Sequence, residues 1–284
     1  MSRTVYVNGE FVAEEAAKIS VFDRGFIFAD GVYEVSSVIG GKLIDNAAHL
    51  ARLARSCKAL SIDLPASGDE ITAIQKELIT RNDLDEGVVY LQVTRGAADR
   101  DFPFPKVATP SLVMFTQVKT LVASKAAEAG IRVITTPDLR WGRCDIKTVQ
   151  LLGAVLAKQA AADAGVDDAW FVDAGGDVTE GSSNNAYIVK DGRIITRALS
   201  TALLPGITRA SVVKLAAETG MTIEERPFTV AEAQGADEAF VTSATTFVTP
   251  VIRIDGAKVG AGTPGPVARR LREIYINHAL KTAV

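Results

Sequence analysis

Strand-like and helix-like segments follow one another along this chain without a regular strand-helix-strand alternation, and that order most restricts what it can fold into. Asn8-Gly9 stands between two apolar runs in residues 5–12, the composition of a tight hairpin. Leu50, Leu53, Ala54 and Cys57 recur at helical spacing within residues 47–60, and residues 71–79 repeat that period. Residues 88–94 and 111–116 are β-rich runs. Further on, 131–135 reads as a strand, 149–164 as an Ala/Leu-rich helix and 169–173 as a strand. Lys190-Asp191-Gly192 marks a second hairpin, between 186–189 and 193–196. Residues 209–219 then read as a helix, 238–242 as a strand and 265–280 as a helix, with no internal repeat. A doubly wound parallel sheet requires regular alternation, so the pattern belongs to the α+β class.

The 284 residues exceed a typical single domain. The β-rich pattern gives way to an Ala-rich stretch at 123–129, which puts a junction near residue 120 and predicts domains of 1–120 and 121–284. Residues 96–110 form a long Gly/Pro/Asp-rich connection. Loops of this length are uncommon and serve either as binding elements or as surface excursions.

A formal charge of −3 and a pI near 5.6 provide no basic footprint for nucleic acid or acidic lipid, and point to a small-molecule partner. No stretch has the length or apolarity of a signal peptide or a membrane span, which predicts a cytoplasmic protein. Cys57 and Cys144 lack metal-ligand spacing and are expected as reduced thiols. His49 and His278 are the only histidines, too few for a multi-histidine metal site.

Neither a P-loop nor a strand-linked G-x-G-x-x-G is present. Leu204-Pro205-Gly206-Ile207-Thr208 precedes an amphipathic run, where free N–H groups hold a phosphate or are simply capped. Arg52 lies between apolar rows of a helix and is either an anion ligand or a solvated charge. Lys147 stands between a predicted strand and a predicted helix; a lysine there is either a surface residue or an amine nucleophile, the latter requiring a neutral amine. Glu180 lies in a run of small residues, 179–185, that reads as a turn or as part of a site. Residues 242–246, hydroxyl-rich after an apolar run, are a plain turn or an anion nest.

In this order, these segments resemble the fold-type IV (class IV) pyridoxal-5′-phosphate aminotransferases, with wording closest to the bacterial D-amino-acid aminotransferases. The most specific pieces are Asp23-Arg24-Gly25, Phe28-Ala29-Asp30-Gly31-Val32-Tyr33-Glu34, residues 140–147 ending in Lys147, residues 151–159, and Thr179-Glu180-Gly181-Ser182-Ser183-Asn184. The resemblance implies a small N-terminal α/β domain, a larger C-terminal cofactor domain and a homodimer. It implies transamination of D-amino acids such as D-alanine or D-glutamate with 2-oxo acids such as 2-oxoglutarate or pyruvate. Branched-chain L-amino acids, (R)-amines and aminodeoxychorismate lysis are the alternatives within the same fold.

By the same resemblance Lys147 links covalently to pyridoxal phosphate and, once released, is the general acid/base at the substrate Cα. Glu180 pairs with the pyridine nitrogen. The phosphate falls to Arg52, Ile207-Thr208 and Ala244-Thr245, with Leu204 against the ring and Ser183 close by. Ala244 replaces a usual threonine, which removes one hydroxyl while the backbone N–H still donates. Tyr33 and Arg100 are the implied trap for the α-carboxylate, with Val35 and Ser37 alternating on the Tyr33 strand. Phe102 stands where the D-specific relatives carry a carboxylate-contacting histidine, which implies a looser trap and tolerance of amines without a carboxylate.

Overall fold

The computed structural model describes residues 2–284. It divides into two compact units. The first holds the residues through Thr120 together with Ile146–Gln150 and Leu280–Val284, and the second holds Leu121–Asp145 and Leu151–Ala279. The short segment carrying Lys147 thus clusters with the N-terminal residues, although the sequence reading assigned it to 121–284.

In the first unit, β1 (Thr4–Val7) and β2 (Glu10–Ala13) form the expected hairpin, its turn made by Asn8 at φ 49° and Gly9 at φ 106°. A five-residue helix, α1 (Arg24–Phe28), leads through Ala29 in the left-handed region to β3 (Gly31–Ile39) and β4 (Lys42–Leu43). Helices α2 (Asn46–Ala59) and α3 (Gly68–Arg81) follow, then β5 (Glu86–Thr94) and β6 (Ser111–Val118). Ser67 and Glu70 close a capping box at the start of α3, which explains why that helix begins sharply. Among the described residues the strands form a six-stranded antiparallel sheet in the order β2-β1-β6-β5-β3-β4. Alternation along β3 decides its faces: Val32, Glu34, Ser36 and Val38 are buried, whereas Tyr33 and Val35 are half-buried. Val38, Leu43, Ile79, Leu84 and Val89 make a core cluster on the covered side.

The second unit runs α4 (Lys125–Ala129), β7 (Ile131–Pro137), α5 (Leu152–Asp163), β8 (Asp168–Val172), β9 (Val178–Gly181), β10 (Asn185–Lys190) and β11 (Arg193–Thr196). It continues with α6 (Ile207–Glu218), β12 (Thr222–Glu225), α7 (Val230–Gln234), β13 (Glu238–Ser243), β14 (Phe247–Ile254), β15 (Ala257–Lys258) and α8 (Pro266–Thr282). Among the described residues nine strands form one mixed sheet, ordered β12-β11-β10-β13-β14-β7-β8-β9 with β15 beside β14. β7 lies parallel to both β14 and β8, and the β10–β11 and β13–β14 pairs are antiparallel. This mixture is the α+β arrangement expected from the irregular order. Trp170, Ile188, Phe228, Val241 and Ile254 belong to its core.

Two local readings are corrected. Residues 149–151 precede α5 and are not helical. The run around Glu180 is not simply a turn: Val178–Gly181 is a fully buried strand, and the turn begins only after it. Among the described residues no helix is long and apolar enough to cross a membrane.

Candidate active site

In the first unit, Lys147 is fixed by its backbone. Its carbonyl accepts from the Tyr33 N–H at 3.0 Å, and Val149 N–H donates to the Gly31 carbonyl at 3.1 Å, so 147–149 adds a short antiparallel bridge to the open edge of β3. Ser56 Oγ accepts from the Lys147 N–H at 3.4 Å. The side chain is half-buried and its Nζ stands 4.1 Å from the centre of the Tyr33 ring. That ring stacks on Tyr90, and Tyr90 stacks on Phe115, with centroids 5.6 and 4.7 Å apart. Tyr33, Val35 and Ser37 share this face of β3, opposite Gln92, Tyr90 and Val88 of β5.

On the other face of β3 the buried Glu34 organises α2. Its carboxylate accepts from Arg52 Nε at 2.7 Å and Nη2 at 2.8 Å, and lies 2.7 Å from His49 Nδ1. Arg52 is therefore a buried, tethered guanidinium and not the solvated helix charge that its local sequence also allowed. Burial opposes ionisation of Glu34, but the hydrogen bonds and charges of Arg52 and His49 outweigh it and hold the carboxyl at about 2, against an ordinary 4.5. Since the folded value is depressed, this stabilisation is complete above pH 4.5 and is lost as pH falls toward 2. Glu34→Gln leaves a buried cation short of its partner and is expected to cost about 3–5 kcal/mol. A thermal melt at pH 7 should show a drop of roughly 10 °C, and an unchanged midpoint would contradict this role for Glu34.

Arg100 and Phe102 lie exposed on the connection between β5 and β6. The Arg100 guanidinium stands 5.5 Å from the Phe28 ring and 5.6 Å from the Phe102 ring, and the two rings are 5.6 Å apart. Burial pushes the Cys57 thiol up to about 12 and the Cys144 thiol up to about 11, away from the thiolate form a nucleophile requires.

In the second unit, Glu180 sits at the edge of the sheet on β9 and is 4% exposed. Arg140 Nη1 donates to its Oε1 at 2.5 Å, while Asn185 Nδ2 and the Leu204 N–H reach Oε2 at 3.0 and 3.2 Å. Arg140 is itself held by Asp138, at 2.9 and 2.8 Å. Burial pushes the Glu180 carboxyl up to about 7, the Arg140 cation only partly restoring its acidity. A buried acid poised near neutrality is suited to pairing with a further cation.

Asn185 also donates to the Leu204 carbonyl at 2.9 Å, tying Glu180 to the segment that opens α6. Gly206 has to be a glycine there, because a Cβ would collide with Asn185 Oδ1. No side chain caps α6, and the buried Thr208 Oγ1 has no hydrogen-bond partner among the described residues. An uncapped helix start with an unpaired hydroxyl is chemically matched to a phosphate. The β13–β14 turn presents Ala244 and Thr245, with Ser243 Oγ 3.3 Å from Thr245 Oγ1 and 2.8 Å from Thr246 Oγ1. Phe247, which ends that turn, holds φ 57°, a conformation unusual for a bulky residue and fixed here by burial of its ring against Tyr275. Ser183 is exposed in the turn after β9.

Glu34, Arg140, Asp138 and Asn185 support these groups without having been assigned any part from sequence. Glu34 had one signal: it alternates with Tyr33 and Val35 and so falls on the opposite face of their strand. Arg140 stood in the motif that ends at Lys147 with no role attached, and Asp138 had no signal, because only the fold brings their pair to β9.

A family model for class IV amino-transferases matches residues 31–254. The chain is 41% identical to a D-alanine aminotransferase of Staphylococcus aureus (strain MSSA476), with 95% of each chain covered. It is 39% identical to the D-alanine aminotransferase of Bacillus licheniformis over 97% of each. Among solved structures, the branched-chain amino acid aminotransferase of Escherichia coli superimposes with a TM-score of 0.91 at 25% identity, covering 98% of this chain and 95% of that one. The branched-chain amino acid aminotransferase of the archaeon Thermoproteus uzoniensis, solved with norvaline, gives 0.89 at 26% identity, covering 99% and 96%.

Proposed function

Because the chain belongs to the class IV aminotransferases and is a transaminase that uses pyridoxal 5′-phosphate, we propose that it transfers the amino group of D-amino acids to 2-oxo acids. The observation that carries this reading is the placement of the Lys147 amine over Tyr33, at the end of a strand face that also presents Val35 and Ser37. The D-amino acid assignment draws support from the roughly 40% identity to D-alanine aminotransferases, above that to the branched-chain enzymes.

The residues fit the cofactor. The unpaired Thr208 hydroxyl at the bare start of α6, with the Ile207 N–H, suits its phosphate, as does the hydroxyl-rich Ala244-Thr245 turn of the same unit; Arg52 is assigned to the phosphate by the family resemblance alone. Leu204 suits a ring face, and Ser183 lies in the turn that directly follows the strand of Glu180. Bound pyridoxal phosphate supplies an aldehyde that takes up the amino group and a ring that accepts electrons when the substrate Cα–H bond breaks. Lys147 carries the covalent attachment and moves the proton at the substrate Cα. Glu180 holds the ring nitrogen protonated. Arg100 and Tyr33 orient the α-carboxylate, Arg100 by its bidentate fork. The exposed apolar side chains of Leu152, Val155 and Leu156 on α5, and of Phe26, suit coverage by a second copy, so the working unit we propose is a homodimer.

A second reading, amine transamination, is favoured by Phe102, whose ring leans on Phe28 and offers a carboxylate no hydrogen bond. Half-reactions with D-alanine, L-leucine and (R)-1-phenylethylamine, followed by the cofactor spectrum, separate the two. D-alanine is expected to react fastest, and Phe102→His to lower its KM about tenfold by adding one charge-assisted contact. Faster reaction with L-leucine or the amine would overturn the D-amino acid assignment, and an unchanged KM in the variant would contradict the reading of Phe102.

A further inference from the structure

The Asp23-Arg24-Gly25 segment is one of the most distinctive in the sequence, yet it has no part in the chemistry above. From its contacts we infer that Asp23 and Arg24, with Asp30 and Arg95, hold the 96–110 loop in place, and that Arg24 is a positioning residue for discrimination between substrates with and without a carboxylate. The inference rests on the reading of Arg100 as a carboxylate ligand.

Asp23 gathers the ends of the loop. Its Oδ2 accepts from Thr94 Oγ1 at 2.9 Å and from Ser111 Oγ at 2.7 Å, the two hydroxyls that bracket the connection, while its Oδ1 caps α1 through the Gly25 N–H. Arg24 N–H donates to the Gly96 carbonyl and Ala98 N–H to the Phe22 carbonyl, so the first residues of the loop are laced to this turn. Close approach requires a glycine at 25, where a Cβ would collide with Thr94 Cγ2.

Arg24 holds the tip. Its nearly buried guanidinium donates to the carbonyls of Asp101 at 2.6 Å, Phe102 at 3.4 Å and Pro103 at 3.5 Å, and its Nε to Asp30 Oδ2 at 2.8 Å. The residues on either side of those carbonyls are exposed, so no core packing of their own fixes the conformation of 100–104. Asp30 also receives Arg95 at 2.7 and 3.0 Å; Arg95 donates in turn to the carbonyls of Leu60 and Ser61 and lies 3.5 Å from the Phe104 ring centre. One carboxylate thus joins the cation that holds the loop to the cation that anchors it to the rest of the unit. On the same short helix, Phe28 is in reach of Arg24, Arg100 and Phe102 together.

The test uses the holoenzyme with Arg24→Gln and Arg24→Lys. Hydrogen exchange of the peptide spanning 97–106 is measured alongside KM and kcat for D-alanine, and for (R)-1-phenylethylamine as substrate or competitive inhibitor. In the Gln variant loop exchange is expected to rise at least about tenfold with the rest of the chain unchanged, on the scale of lost charge-assisted hydrogen bonds. KM for D-alanine should rise about tenfold at nearly constant kcat while the amine constant stays put, with the Lys variant in between. Unchanged loop exchange overturns the assignment, as does an equal loss for acid and amine. Arg100→Ala tests the underlying reading by itself: if it leaves the D-alanine KM unchanged, the carboxylate role of Arg100 has failed, whereas loop exchange in the Arg24 variants still reports on the clamp.

Discussion

Replacing Lys147 by alanine is expected to lower turnover roughly ten-thousand-fold, the upper end for loss of a positioned acid/base, because the proposed function gives the same amine the covalent attachment as well. The fold should survive. The contacts that fix this segment are made by its backbone: the Lys147 carbonyl receives the Tyr33 N–H, the Lys147 N–H reaches Ser56 Oγ, and Val149 pairs with Gly31. The side chain contributes only its approach to the Tyr33 ring, 4.1 Å from Nζ to the ring centre. Steady-state rates read beside a thermal melt check both halves. A variant that retained more than a few per cent of wild-type turnover would remove Lys147 from the chemistry.

Glu180→Gln should reduce kcat by about two to three orders of magnitude, the scale on which one preorganised electrostatic partner acts. The substitution has a second consequence that does not depend on turnover. In the folded chain the Glu180 carboxyl is raised to about 7 from 4.5, so its favourable contribution to stability is complete below pH 4.5 and is lost as pH rises through 7. The size is on the order of 3 kcal/mol. Glu180 is expected to ionise beside a protonated ring nitrogen, so this slope belongs to the cofactor-free protein. Melts of cofactor-free wild type between pH 5 and 8 should show it, and cofactor-free Glu180→Gln should not. Equal slopes in the two proteins would mean that Glu180 is not the buried acid that titrates.

Regular elements were legible in the sequence wherever one period dominated. The Asn8-Gly9 and Asp191-Gly192 hairpins, α2 and α3 announced themselves by turn chemistry and by apolar spacing. Less visible was β3, because Glu34, Ser36 and Ser37 interrupt its apolar pattern for reasons that lie in other elements: Glu34 answers His49 and Arg52, and Ser36 answers Asn46. The strand at Glu180 was hidden in the same way. Its small and polar residues look like a turn until Arg140, Asn185 and the Leu204 backbone are brought against them. The candidate residues themselves were named through a resemblance of motifs. Their supports, the Arg24–Asp30–Arg95 clamp and the Asp138–Arg140–Glu180 chain, required coordinates, since a buried polar group is satisfied by partners far away in sequence.

All of the chemistry assigned to this chain rests on the amine of Lys147 taking up the aldehyde of pyridoxal phosphate. Borohydride reduction of the holoenzyme followed by peptide mapping tests that claim directly. A reduced pyridoxyl group on the peptide containing residue 147, absent from Lys147→Ala, is the expected result; an unmodified residue 147, or the group attached to another lysine, would contradict it.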